Sequence, residues 1–448
     1  MSAASSAFPH FANAASPMAR AMAGSSPIAQ EHGEPAANLI DTNDDVTPVA
    51  ATCTRHSGYA YAAPDISSPG TDVGLAFEVV RSLEALEAIE DEWNELFARA
   101  GRSIHVFQTF NWVWHWCRHF IDDRNRGTPA IHIVIARRQG KLILIWPMVR
   151  ERVHGLMRLS FLGEPVSQYG DLLIDDIADG ARVLDRAWTF VCGDAGADTI
   201  HLRKVRRDSN IAPLLASVGA RTTETLAAPY LDLTSAPDFA AYEKRYSPKA
   251  RKNRQRQMRR FESRAPASVG IFTGGRRARE LSDTAILMKR AWLKDKGLVS
   301  TALGDPRTLA FFADAAEANV RPVGCTVIAF ETRGEPAAIE VAFDCKGRRV
   351  VHILVYALKF MPLGPGQLLV ESSIAASYDR GIEVYDLMSP ADAYKLDWAD
   401  ASIEVNDWAI GMTAPGRAYV HVYLGFLRAR LKTFAISALR KIRALRRG

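Results

Sequence analysis

The residues best suited to chemistry in this 448-residue chain form one short loop, Leu363-Gly364-Pro365-Gly366-Gln367. A glycine loop that opens a helix presents free backbone N–H groups at the positive end of the helix dipole, which is an anion site. Gly364 and Gly366 let the backbone approach a pyrophosphate closely, and Pro365 stiffens the turn. Gly-Pro-Gly is also ordinary turn chemistry; its place after three antiparallel strands and before a helix is what favours the anion reading. Upstream, Glu340 interrupts the apolar run Ala337-Ala338-Ile339-Glu340-Val341-Ala342. Facing a cleft, it would have a raised pKa and serve as a general base; the alternative is the strand's solvent face. His352 is the next base, although a lone strand histidine is more often simply packed. Asp386 either caps its strand end or pairs with Lys395.

The bulk properties bound what these residues can serve. Hydrophobic residues make up 48% of the chain and charged ones 24%, the make-up of a globular protein too long for one core. The net charge of +6 suits a nucleotide-like anion or an acidic surface and does not by itself indicate DNA. Cys53, Cys117, Cys192, Cys325 and Cys345 are scattered, with no CxxC and no zinc spacing. That pattern fits a reducing, cytoplasmic setting without a metal. No apolar run reaches membrane-spanning length, and no secretory signal is recognised. No nucleophile elbow, P-loop or Rossmann fingerprint occurs. Trp112, Trp114 and Trp116 crowd one segment; they could stack on sugar rings, and core packing is the commoner use of such spacing.

Two similar runs of elements position these residues. Residues 1–74 are rich in Ala, Ser, Pro and Gly, lack periodicity and read as disordered. Residues 75–240 read as a first α+β unit: a strand at Phe77–Val80, helices led by Ser82 and over Phe110–Phe120, and a hairpin turning at Gln139-Gly140. Residues 241–265 form a basic linker helix, with Ser247 as cap and Pro248 in its first turn. It is either a solvated linker or an element that meets a phosphate or acidic glycan. Residues 266–412 repeat the order: two helices, three antiparallel strands, the glycine loop, a helix over Gln367–Arg380 and a strand over Val384–Leu387. Residues 413–448 read as a basic amphipathic helical tail, packed on the preceding unit or resting on an anionic membrane surface. The repeated order suggests an internal duplication.

At this level the chain resembles the GNAT-type acyltransferases of the CelD/BcsL family, associated with cellulose and other exopolysaccharide biosynthesis and related to the FemAB-like double-GNAT transferases. The likeness rests on the strand ending at Tyr356, the glycine loop and its helix, Val384-Tyr385-Asp386-Leu387, and Ala393-Tyr394-Lys395-Leu396-Asp397-Trp398. Phe107-Gln108-Thr109, Tyr230-Leu231-Asp232-Leu233 and the Ser247–Arg251 segment add to it. It implies an α+β fold of two tandem GNAT-like units with mixed, mainly antiparallel sheets. It also implies acetyl-CoA or another acyl-CoA as donor, with Leu363, Gly364, Gly366 and Gln367 at the CoA pyrophosphate. Transfer then goes by direct attack of an amine or hydroxyl on an envelope or polysaccharide precursor. Such a step needs a base, for which Glu340 is the first choice, and acids toward the leaving thiolate, for which Tyr356 and Tyr394 stand ready. Lys395 lies beside Tyr394 after a strand end, where sites gather. Two other readings stand: a non-catalytic GNAT-fold scaffold of a polysaccharide-synthesis complex, with contact at the inner membrane, and FemAB-like aminoacyl transfer.

Overall fold

The computed structural model describes residues 74–121, 129–264, 266–298, 300–318 and 324–428. The sequence expectations for residues 1–73 and for the end of the tail lie outside the described residues. The first half supplies strands β1 (Leu75–Val80), β2 (Ala130–Ile131), β3 (Ile133–Arg138), β4 (Lys141–Trp146), β5 (Met148–Val153), β6 (Leu156–Phe161), β7 (Leu173–Ile174), β8 (Thr199–Arg206) and β9 (Arg221–Asp232). The second half supplies β10 (Ala267–Phe272), β11 (Gly324–Thr332), β12 (Glu335–Cys345), β13 (Arg348–Tyr356), β14 (Val384–Asp386) and β15 (Ala401–Gly411).

Local chemistry sets the element ends where the sequence indicated. The Ser82 hydroxyl accepts from the Ala85 N–H, and the Ser247 hydroxyl accepts from the Ala250 N–H of the basic Pro248–Glu262 helix. Thr109 caps Phe110–Phe120 in the same way. The apolar run Leu142–Val149 divides at Pro147, which has no N–H to give a ladder. Before it, β4 pairs with β3 and β7 in a four-stranded sheet; after it, β5 pairs with β2 and β6 in another.

That second sheet has eleven strands in the order β10-β11-β12-β13-β14-β9-β15-β8-β6-β5-β2 and runs through both halves. Its neighbours are antiparallel except β13–β14 and β6–β8, which are parallel. These two parallel pairs occupy matching places in the halves. Between them the halves exchange their last strands. The first half's β9 pairs with β14 of the second, and the second half's β15 pairs with β8 of the first. β9 and β15 pair with each other along Ala401–Ala409.

Helices cover the faces. Gly275–Asp295 and Pro306–Glu317 lie over the second half, where Phe311 and Phe312 join a core shared with Trp93, Phe107, Trp112 and Trp116 of the first. Pro365–Asp379 covers the opposite face of β11–β13, with Leu368, Leu369, Val370 and Ile374 buried. Among the described residues no helix is long and apolar enough to cross a membrane.

Candidate active site

β13 and β14 pair over only three positions, Arg348–Val350 against Val384–Asp386. Beyond that, β13 runs on to Tyr356 while the other chain turns away at Leu387 and Met388, the latter with φ +57°. Two parallel strands that diverge at their carboxyl ends leave a crevice, the usual place for a ligand in such sheets. In the diverging part β13 carries a bulge. Val341 pairs with Ile353 and Ala342 with Val351, so His352 is the extra residue, and bulges of this kind gather beside active sites.

The glycine loop stands at the end of this crevice. Leu358–Leu363 form a 3₁₀ turn, Gly364 takes the left-handed conformation (φ +67°), and Pro365 starts the helix. Only a residue without a side chain fits Gly364 comfortably, because a Cβ there would also lie 2.8 Å from the Gln257 amide. A Cβ on Gly366 would come within 3.2 Å of the Tyr356 ring, so loop and strand end touch. The Gly364 N–H is spent on the Met361 carbonyl, and the Gln367 and Leu368 N–H groups turn back to Gly364. That leaves the Gly366 N–H as the open donor of this helix start. Leu363 is buried among Phe261, Phe330, Leu368 and Leu369, so it anchors the loop; Gln367 is exposed. The basic helix lies along this region, with Gln257 over Gly364. Arg254 is ion-paired to Glu371 at 2.8 Å and stacked between the Tyr246 and Trp398 rings.

Glu340 lies beneath the loop's helix and is completely buried, not on a solvent face. Its oxygens accept from the Ser373 hydroxyl at 2.8 Å and from the Tyr385 hydroxyl at 2.5 Å. Burial holds its carboxyl above the usual range, against the pull of the Arg349 guanidinium. Arg349 is itself buried and pairs with Asp344. The His352 ring donates to the Val166 carbonyl at 2.6 Å, and burial lowers its pKa to about 4, so it stays neutral.

Asp386 does not pair with Lys395. It caps its strand end, accepting from the Met388 N–H at 2.9 Å, and it also accepts from Tyr169 at 2.8 Å and from Arg348 at 2.9 Å, with Arg206 at 3.3 Å, and so joins both halves there. Lys395 instead donates to the carbonyls of Met388 and Pro390, the turn by which the chain leaves β14. Desolvation lowers its pKa to about 8, the carboxylate of Asp392 at 3.9 Å being too distant to offset it fully. Lys289 of the Gly275–Asp295 helix is lowered by the same cause. Tyr394 is 41% exposed on the outer side of the turn. The structure thus brings Tyr356, Gly364 and Gly366 into contact, gathers Tyr394 and Lys395 on the β14 side, and sets the Glu340 side chain between β12 and the Pro365–Asp379 helix. Sequence reading missed Tyr385, Ser373 and Gln257, whose types are unremarkable and whose meeting is decided by packing. The residue parity of β13 gave no sign of the bulge at His352. Among the described residues no group of His, Cys, Asp or Glu side chains is arranged to hold a metal ion.

Residues 248–396 match the acetyltransferase (GNAT) domain family, from the first residue of the basic helix to the end of the Lys395 turn. No protein of curated function matches the chain. Among solved structures it is similar to FemX, with 8% identity over 78% of this chain and 99% of that one and a TM-score of 0.49. It is similar to a tandem GNAT protein from the clavulanic acid biosynthesis pathway, with 12% identity, 76% and 99% coverage and a TM-score of 0.44. It is also similar to a GCN5-related N-acetyltransferase from Sphaerobacter thermophilus, with 11% identity, 75% and 96% coverage and a TM-score of 0.32. The fold is α+β, and residues 248–396 carry a GNAT-type acetyltransferase domain, so the protein is an acyltransferase. Domains of this family take acyl-CoA donors.

Proposed function

We propose that the chain transfers an acetyl or similar acyl group from acyl-CoA to an amine or hydroxyl of a polysaccharide or envelope precursor, as a relative of the CelD/BcsL proteins. The observation that carries the donor assignment is the crevice between β13 and β14, closed at one end by a glycine helix start with an open Gly366 N–H. These residues fit the donor. The Gly366 N–H and the helix dipole face a pyrophosphate, and the divergent strands leave backbone edge for an extended pantetheine arm. Acyl-CoA supplies the activated thioester.

The acceptor's proton passes to neutral Lys395, whose lowered pKa leaves a useful fraction unprotonated near neutrality. The acceptor nitrogen or oxygen attacks the thioester carbon, the carbon–sulfur bond breaks, and Tyr356 gives its proton to the departing thiolate. Tyr394 lines the acceptor's approach. Glu340 holds Tyr385 and the glycine-loop helix in place, so its part is positioning. Scaffold and aminoacyl-transfer readings stay behind this one, because residues 248–396 match an acetyltransferase domain and neither alternative calls for an acyl-CoA donor.

Calorimetric titration with acetyl-CoA tests the assignment. Gly366→Glu should weaken binding at least tenfold by placing a carboxylate at the cradle, while Gly366→Gln, of equal bulk, should lose much less. Absence of acetyl-CoA binding to the unaltered chain would sink the donor reading. We propose further that the basic tail rests on the anionic face of the inner membrane from the cytoplasm, with the experiment given in the Discussion.

A further inference from the structure

The first and second halves enclose a cavity of about 520 Å³ between the Glu90–Ala100, Phe110–Phe120 and Pro306–Glu317 helices. It lies on the outer side of Phe110–Phe120. Trp112 and Phe311 form part of a packed aromatic layer between that helix and the His352 bulge, so this is not the donor crevice. Its size is that of an ordinary small-molecule site.

The lining has a definite chemistry. Of the three crowded tryptophans, Trp112 and Trp116 are core residues, whereas Trp114 is half-buried and faces this cavity. Its indole is fixed: the N–H donates to Glu87 at 2.9 Å, and the Arg118 guanidinium stacks over the ring at 4.8 Å. Opposite, Glu90 and Asn94 stand one turn apart on one helix face and both line the cavity. Neither side chain has a hydrogen bond or ion pair among the described residues, and Arg118 has no carboxylate partner. Asp314, at the far wall, is ion-paired with Arg279, which Glu317 shares, and is hydrogen-bonded to His119. Among the described residues, the groups without a hydrogen-bond partner are thus one carboxylate, one amide and the guanidinium that covers one face of the indole. Their charges balance, so the cavity selects for neither an anion nor a cation. Each is planar and reaches two hydrogen-bond partners at once. A ligand that uses all of them has an apolar face for the indole and neighbouring groups that both donate and accept at its rim.

We propose that this cavity binds a neutral pyranose unit of an oligosaccharide, with its C–H face on the side of the Trp114 indole that Arg118 does not cover and vicinal hydroxyl pairs on Glu90, Asn94 and Arg118. The assignment is independent of acyl transfer, since it rests on none of the crevice residues.

The test is direct observation of the Trp114 indole N–H by ¹⁵N nuclear magnetic resonance in the full chain, its signal assigned from Trp114→Phe. Maltotriose, cellotriose and chitotriose are the probes, with inorganic phosphate as control. At least one trisaccharide should shift the Trp114 signal saturably, with a Kd on the order of 1 mM or tighter. Asn94→Ala and Glu90→Gln, both at partly solvated positions, should each weaken that response several-fold. Acetyl-CoA affinity should stay unchanged in both, which separates this site from the donor crevice. The proposal is overturned if none of the three sugars moves the Trp114 signal. It is equally overturned if the shift persists undiminished in both variants, or if phosphate produces the same saturable shift.

Discussion

Glu340 accepts twice and is reached by no solvent, so its effect is felt first in stability. Glu340→Ala would strand the Tyr385 and Ser373 hydroxyls and should cost about 3 kcal/mol in urea unfolding. Glu340→Gln can satisfy both hydroxyls and should cost much less. The pH dependence has a definite sign. A carboxyl whose folded pKa is raised binds more protons in the native state, so stability falls as pH rises from the unfolded value through the folded one. The Gln variant should show a flatter decline above about pH 4.3, the ordinary Glu value. Lys395 carries the complementary prediction for rate. Acetyl transfer should rise with pH along a limb centred near 8, and Lys395→Arg should remove that limb while leaving acetyl-CoA binding in place. A limb unchanged in the Arg variant would take the base role away from Lys395.

At the scale of elements, the tail helix shows how burial and exposure divide on one surface. Its first turns, Ala414–Ala418 and the π-helical Tyr419–Leu427, bury Val420 and Leu424 against Ala409 of β15. Val422 and Phe426 point outward, each about half exposed. From residue 413 onward the sequence carries nine Lys or Arg residues and no Asp or Glu. Exposed apolar side chains beside a purely basic segment are suited to an anionic bilayer surface, where each basic residue contributes roughly 1 kcal/mol at low salt. The full chain should co-sediment with vesicles containing phosphatidylglycerol, lose that association in high salt, and ignore pure phosphatidylcholine. Val422→Asp with Phe426→Asp should abolish it, and binding that survives both charges would place the contact elsewhere.

The whole molecule is governed by the exchange of β9 and β15. Each half completes its sheet with the other's final strand, and Asp386 ties Tyr169 and Arg206 of one half to Arg348 of the other. Removing either half would expose long unpaired strand edges and bury charge without its partner. Fragments 74–245 and 246–428 produced separately should therefore be aggregated or unfolded by circular dichroism, while co-production should yield one complex. A stably folded monomer of either fragment would show that the exchange is not what holds the halves.

Much of this was legible in the sequence because it is written locally. Hydroxyl caps, Gly and Pro at turns, and apolar runs marked most strands and helices, including the helix after the glycine loop, read from Gln367 where the structure starts it at Pro365, since those signals depend on neighbours along the chain. The glycine loop stood out for the same reason. The tertiary structure alone decided what meets across distance. It set the strand exchange, whose long β15 bears mixed polar residues without a clean alternation, and it sent Asp386 to Tyr169, Arg206 and Arg348 rather than to Lys395. It also buried Glu340 under a helix and turned Trp114 toward a cavity while Trp112 and Trp116 went into the core. Those choices follow from which surfaces two repeated units can bury against each other, and no spacing along a single chain records that.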